Sequence, residues 1–231
     1  MIGTPARGYS GNESKGLNQD SNIWRSALSL AAVAVIGTAM LSGVNSLTAK
    51  RIAEQERRVV LQQLGQVMSP ERYDNPLQND RIEFRDEQHF PRQQIVTAYR
   101  ARKNGEPVAV ILKFAAVKGY NGNIDLLAGI NLDGTLSGVR VSSHKETPGL
   151  GDFIETGKCE WVMSFDGRSL KNPDVSGWTV KRDGGEFDQF TGATITPRAV
   201  VEAVRRALNY YQANRQELFD EEPLNTGERD Q

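Results

Sequence analysis

Residues 95–142 read IVTAYRARKNGEPVAVILKFAAVKGYNGNIDLLAGINLDGTLSGVRVS. Short runs rich in β-branched and apolar residues alternate here with turn residues, the pattern of consecutive hairpins. Ile95–Tyr99 and Val108–Phe114 read as strands joined through Asn104-Gly105. Ile124–Asn131 and Leu136–Ser142 form a second hairpin around Asp133-Gly134, and Trp178–Lys181 reads as a shorter strand. A helix follows from about Pro197 to Leu218. Thr196 suits its N-cap and Pro197 its first helical position. Val201, Val204, Leu208 and Tyr211 give that helix one apolar face. Hairpins followed by a helix predict an α+β fold with a mostly antiparallel sheet packed with helices. No strand–helix–strand repetition supports a dinucleotide-binding sheet.

Upstream the composition changes sharply. Residues 1–22 are polar and rich in Gly, Ser and Asn, and read as a flexible tail. Ser26 to Ala49 then contains no charged residue. As a helix it would extend roughly 36 Å, enough to cross a hydrocarbon core of about 30 Å. A signal-peptide apolar region is shorter, about 7–15 residues. Residues 23–49 are therefore expected to form one N-terminal transmembrane helix. Arg7, Lys15 and Arg25 precede it and Lys50, Arg51, Arg57 and Arg58 follow it, so charge bias does not orient it. Ile52, Val59, Val60, Leu64, Val67 and Met68 recur at helical spacing, extending the helix to Ser69-Pro70. The stretch 71–92 is charged and weakly patterned. These boundaries predict a helical and irregular connector over 50–93, a globular domain over 94–219 and an acidic, disordered tail over 220–231.

Composition excludes several functions. The 231 residues suffice for one ordinary domain and an anchor, and a formal net charge of −1 with no basic block argues against nucleic acid. Cys159 is the only cysteine, so an intrachain disulfide or a cysteine-ligated metal centre within this chain is impossible. His89 and His144 have no metal-ligand spacing. Redox chemistry would need an organic cofactor or a partner's.

Two segments concentrate small residues without being linkers. Glu146-Thr147-Pro148-Gly149-Leu150-Gly151-Asp152 follows a strand, and its glycines permit a tight turn and close backbone approach. It reads equally as an ordinary turn. Asp188-Gln189-Phe190-Thr191-Gly192-Ala193-Thr194-Ile195-Thr196-Pro197 leads into the last helix, whose N-terminal amides favour phosphate. Thr194 places a hydroxyl about one turn before that anion site; a plain loop with a helix cap is the other reading. Trp161, Phe165 and Trp178 read as core, Cys159 as a packing residue, His144 as polar at the site's edge, and Arg205 and Arg206 as a solvated face.

The segment DQFTGATITPRAVVEAV resembles the flavinylation motif of the FMN-binding domain family, Asp-x-x-Ser/Thr-Gly-Ala-Thr/Ser, met here by Asp188, Thr191, Gly192, Ala193 and Thr194. His144 to Asp152, HKETPGLGD, is similar to that family's second signature, and Gly119-Tyr120-Asn121-Gly122 to a weaker third. With the single span, the likeness covers Ile23 to Leu218. It is nearest the G-subunit branch found in Rnf complexes, with the C-subunit branch of sodium-pumping NADH:quinone oxidoreductases as the alternative.

The resemblance implies an electron-transfer subunit with FMN joined through its phosphate to Thr194. A separate flavin transferase would attach it from FAD, with Asp188 part of the signal read. Glu146, Thr147, Gly149, Leu150 and Gly151 would pack against the flavin ring. The chain would sit in a bacterial inner membrane by one pass, in contact with lipid, its flavin domain periplasmic. Its partners would be the other membrane and iron–sulfur or flavin subunits of a complex coupling ferredoxin/NAD redox chemistry to ion translocation. A noncatalytic, membrane-anchored ligand-binding module is the rival from another class.

Overall fold

The computed structural model describes residues 16–220. Helix α1 spans Gly16–Val67 and helix α2 spans Ile195–Asp220, with a sheet between them, so the fold is α+β. Residues 16–22 belong to α1, not to the tail expected there; the rest of that tail and residues 221–231 lie outside the described residues.

The chain divides after Arg58 into two compact units. In the first, Ala27–Val44 has a mean hydropathy of 2.0 and none of it is buried against protein. That exposure removes the core-helix reading and leaves a helix long and apolar enough to cross a membrane.

The second unit starts at Val59, well before the domain boundary expected at residue 94. Its strands are β1 (Arg81–Phe84), β2 (Val96–Lys103), β3 (Glu106–Gly119), β4 (Gly122–Asn131) and β5 (Leu136–Ser143), paired antiparallel in chain order. Asn104 and Gly105 both take positive φ, 54° and 85°, the backbone that a two-residue hairpin turn requires. β3 runs past the expected end at Phe114 and meets β4 at a further hairpin, where Gly119 pairs with Gly122. Strand β1 lies in the connector because it is short and half charged, too brief to show a period. Its pairing with β2, Ile82 opposite Ala98, is what makes it a strand.

Successive residues of a strand point to opposite faces, and here both faces are covered. Val110, Leu112, Phe114, Leu126 and Ala128 join α2's Val201, Val204, Leu208 and Tyr211 in the larger core. Their neighbours Ala109, Ile111 and Leu127 join Leu64 and Val67 from the end of α1, and Met68 just after it, in a second cluster. The end of α1 approaches closely because glycines stand opposite each other on β4 and β5. A Cβ at Gly129 or Gly138 would come within 3.0 or 3.2 Å of the Val67 carbonyl, to which Ser137 Oγ donates at 2.7 Å.

The expected strand at Trp178–Lys181 is corrected. Single 3-10 turns flank it at Val175–Gly177 and Lys181–Asp183, and only Val180 makes a lone bridge, to Phe187. Apolar character there reflects packing: Trp178 is buried, lies against Phe165 and Phe187, and donates its indole N–H to the Ser169 carbonyl. Trp161 and Phe165 are core as well.

The far end of α2 is clamped by arginines. Arg100 is 1% exposed; its Nε donates to Asp80 Oδ1 at 2.6 Å and its Nη1 to the Leu218 carbonyl at 3.4 Å. Arg102 donates to Asp80 Oδ2 at 2.7 Å and to the Phe219 carbonyl at 3.2 Å. Both supply positive charge where a helix end carries partial negative charge.

Candidate functional site

At its other end α2 begins at Ile195, ahead of the Pro197 start that the sequence suggests. Thr194 therefore occupies the N-cap, directly at the helix mouth, and its carbonyl accepts from Arg198 N at 3.3 Å. Pro197 becomes the third helical residue. Thr196 is not the cap: it is 1% exposed, and its hydroxyl donates to the Glu146 carboxylate. A carboxylate fifty residues away outcompetes the local backbone for that hydroxyl, which no local cap rule anticipates.

Glu146 is itself buried, and further donors reach it. Asn121 N donates to Oε1 at 3.0 Å and Tyr120 N to Oε2 at 3.3 Å. Its own N–H donates to His144 Nδ1 at 3.0 Å, which leaves His144 Nε2 to donate to Glu155 at 2.8 Å. The three signature segments thus meet on one side chain. Gly151 has to be glycine for this: a Cβ there would sit 2.9 Å from both Glu146 Cβ and Thr196 Oγ1.

Between these segments lies a cleft of about 300 Å³. Glu146, Thr147, Leu150 and Gly151 line it from one loop, and Gly192, Ala193 and Thr194 from the other, with Ile195 and Thr196. Tyr120 completes the lining; it is 66% exposed, and in the sequence only its place in the third signature marked it. Thr147 Oγ1 accepts from Asn121 Nδ2 at 3.1 Å, tying the loop to the same turn.

Three of the sequence candidates stand outside this lining. Asp188 is exposed and pairs with Lys181 at 2.6 Å, while its carbonyl accepts from the Trp161 indole at 2.8 Å. Thr191 is exposed in the turn that Ala193 N closes onto the Phe190 carbonyl at 3.1 Å, with Gly192 at φ 82°. Gly149, φ 75°, shapes the turn in which Leu150 N and Gly151 N both donate to the Thr147 carbonyl. Phe190 anchors the motif loop against Trp161 and Phe153, at 5.3 and 5.6 Å between ring centres.

Behind the Glu146 loop, Lys158 Nζ bonds Asp152 at 2.6 Å and Glu155 at 3.2 Å. The Lys158 ammonium, then the Gly149 amide, holds the Asp152 carboxyl below the ordinary carboxylate range. His144, then Lys158, does the same for Glu155, and the two carboxylates push Lys158 upward.

The donor set fits a phosphorylated organic group. First-turn amides of a helix have no carbonyl one turn earlier to receive them. Thr194 precedes them in the lining, and among the described residues no cationic side chain lines the cleft. The volume lies at the low end of about 300–1,000 Å³ for ligand pockets, which suits a group that is only partly enclosed. Among the described residues no three His, Cys, Asp or Glu side chains converge on a metal position.

Comparison with known proteins points the same way. The FMN-binding domain family matches residues 119–209, from the Tyr120 turn through most of α2, and the RnfG N-terminal region matches residues 16–67. The G subunit of the ion-translocating oxidoreductase complex of Pseudomonas aeruginosa is 48% identical over 199 residues, covering 84% of this chain and 91% of that protein. The G subunits of Shewanella oneidensis and Pseudoalteromonas atlantica are 42% and 41% identical, over 87% and 85% of this chain and 94% and 92% of theirs. The chain belongs to the G-subunit family of ion-translocating oxidoreductase complexes. The apolar span Ala27–Val44 fits a single-pass membrane member of that family. In this G-subunit chain, the cleft on Glu146 and Thr194 is the part of the FMN-binding domain where the three signatures converge.

Proposed function

We propose that this chain is an electron-transfer subunit that carries FMN on Thr194 inside a membrane-bound, ion-translocating oxidoreductase complex. The observation that supports the reading best is the position of Thr194, at the N-cap of α2 and in the wall of the cleft. A phosphate esterified there would lie against the first-turn amides, which favour an anion. A flavin transferase would form the bond from Thr194 Oγ to the flavin phosphate of FAD, breaking the pyrophosphate and releasing AMP, which takes the hydroxyl proton. The FMN would supply one- or two-electron transfer. The chain would hold it, exclude solvent on the Leu150 side and restrict where it can go. Asp188, exposed on the motif loop, suits contact with the transferase better than contact with the cofactor.

The coupling of ferredoxin and NAD through partner subunits, an inner-membrane location and a periplasmic flavin domain belong to the same proposal. They rest on the family membership and the single apolar helix. The decisive experiment is intact mass of the purified chain, expressed with and without the transferase, beside Thr194→Ala. Wild type gains the mass of FMN less water only with the transferase, and the variant never does. A flavin retained under denaturing conditions by Thr194→Ala overturns the attachment site. Reporter fusions after Lys50 test the topology: activity of a reporter that works only in the cytoplasm overturns the periplasmic assignment.

A further inference from the structure

We infer that Glu146 is a positioning residue that assembles the flavin cleft before any cofactor arrives, and that it does so from one signature segment as the shared acceptor of the other two. The inference rests on the FMN reading only for what the cleft holds. Glu146 lines the cleft, but a glutamate kept for a ligand alone would take few donors from its own chain. Instead Oε1 accepts from Asn121 N, and Oε2 from Tyr120 N and from the Thr196 hydroxyl. The donors come from the β3–β4 turn and from the first turn of α2, and Glu146 bridges the two from within the protein at 4% exposure.

The surroundings are shaped around that carboxylate. A Cβ on Gly119 would lie 2.9 Å from Glu146 Oε1, and a Cβ on Gly151 would lie 3.0 Å from Oε2. His144 fixes the residue's backbone by accepting from its N–H, and Glu155 in turn accepts from His144. Glutamine has the same shape but turns one oxygen into an NH₂ group. That group must then face the Asn121 or the Tyr120 backbone N–H as donor against donor, leaving a buried polar group unpaired. Loss of the carboxylate therefore frees the Tyr120–Asn121 turn from the start of α2 while the sheet beneath it stays intact.

The test uses the full chain in detergent, purified without the transferase, with hydrogen exchange resolved to single amides. Glu146→Gln is expected to speed exchange of the Tyr120 and Asn121 amides at least tenfold, with the amides of mid-β3 and mid-β4 unchanged. Thr196→Val, which keeps shape and loses the donor, gives a smaller rise, and Thr196→Ser, which keeps the hydroxyl, exchanges like wild type. On addition of transferase and FAD, intact mass follows loading, and Glu146→Gln loads more slowly than wild type. Unchanged exchange at Tyr120 and Asn121, a rise spread across the whole sheet, Thr196→Ser behaving like Thr196→Val, or loading at the wild-type rate each overturns the inference. If wild type itself takes up no flavin, the functional reading fails while the exchange result still decides the role of Glu146.

Discussion

The two ends of α2 solve opposite problems. At the C-terminal end the features cited close the helix off: Arg100 and Arg102 bring guanidinium donors to the Leu218 and Phe219 carbonyls, and Asp80 pairs with both. At the N-terminal end the residue that could have capped the helix from within, Thr196, turns its hydroxyl to Glu146 instead. Thr194, Ile195 and Thr196 line a cleft there. One end is held by the chain's own side chains, and the other opens on a cleft. A helix can leave its N-terminus open in this way because its other end and its apolar face hold it in register.

Removing the hydroxyl at the open end should give the largest effect of all, with little cost to the fold. Thr194→Ala is expected to abolish covalent flavin completely, read as in-gel fluorescence under denaturing conditions, while far-UV circular dichroism stays that of wild type. Damage to the closed end should do the reverse. Arg100→Ala takes buried charged donors from the Leu218 carbonyl and from Asp80, which keeps Arg102, and this costs about 2–3 kcal/mol. Urea unfolding of the detergent-solubilised chain should show it, and whatever fraction stays folded should still accept flavin. An Arg100→Ala chain as stable as wild type would mean the clamp is ornamental.

The loop opposite Thr194 separates attachment from tuning at the open end. Gly149 sits at φ 75°, where a β-branched side chain is strained, and Leu150 is 43% exposed in the cleft wall. Gly149→Val and Leu150→Asn are expected to keep the covalent flavin and shift its absorption spectrum and midpoint potential. Spectroelectrochemical titration at matched flavin content checks this, and two wild-type titrations would return the loop to the status of an ordinary turn.

The smallest effect is on pH. Asp152 and Glu155 have carboxyls held below their ordinary range, by Lys158 and by His144 respectively. Their contribution to holding the loop is therefore present above that range, about pH 4, and is lost as pH falls through their lower folded values. Limited proteolysis within residues 144–158 should rise only on acidification below about pH 4. In Lys158→Met that acid step should flatten.

Much of this was legible in the chain, for reasons that are local. Asn104-Gly105 and Asp133-Gly134 mark their hairpins because Asn104, Gly105 and Gly134 take positive φ, which few residues accept. The apolar run reads as a membrane-length helix because hydrophobic length is a sum over neighbours. The TGAT segment before a helix pointed to Thr194 and its anion-favouring amides. The signals that failed are the nonlocal ones. Strand β1 exists through its pairing with β2, and the Trp178 region is apolar because it packs, not because it is extended. Tyr120 enters the cleft only because β3 and β4 deliver their turn to the start of α2.

Residue order alone was enough for the α+β class, the apolar N-terminal helix, the hairpin turns and the two small-residue segments that line the cleft. Each depends on residues within a few positions of one another. Folding in three dimensions added what spacing does not contain: the segments converge on Glu146, Thr194 rather than Thr196 stands at the head of α2, and Asp188 and Thr191 remain outside the cleft. A buried carboxylate takes its donors from whatever the fold brings within about 3 Å, and that distance is not written in sequence spacing.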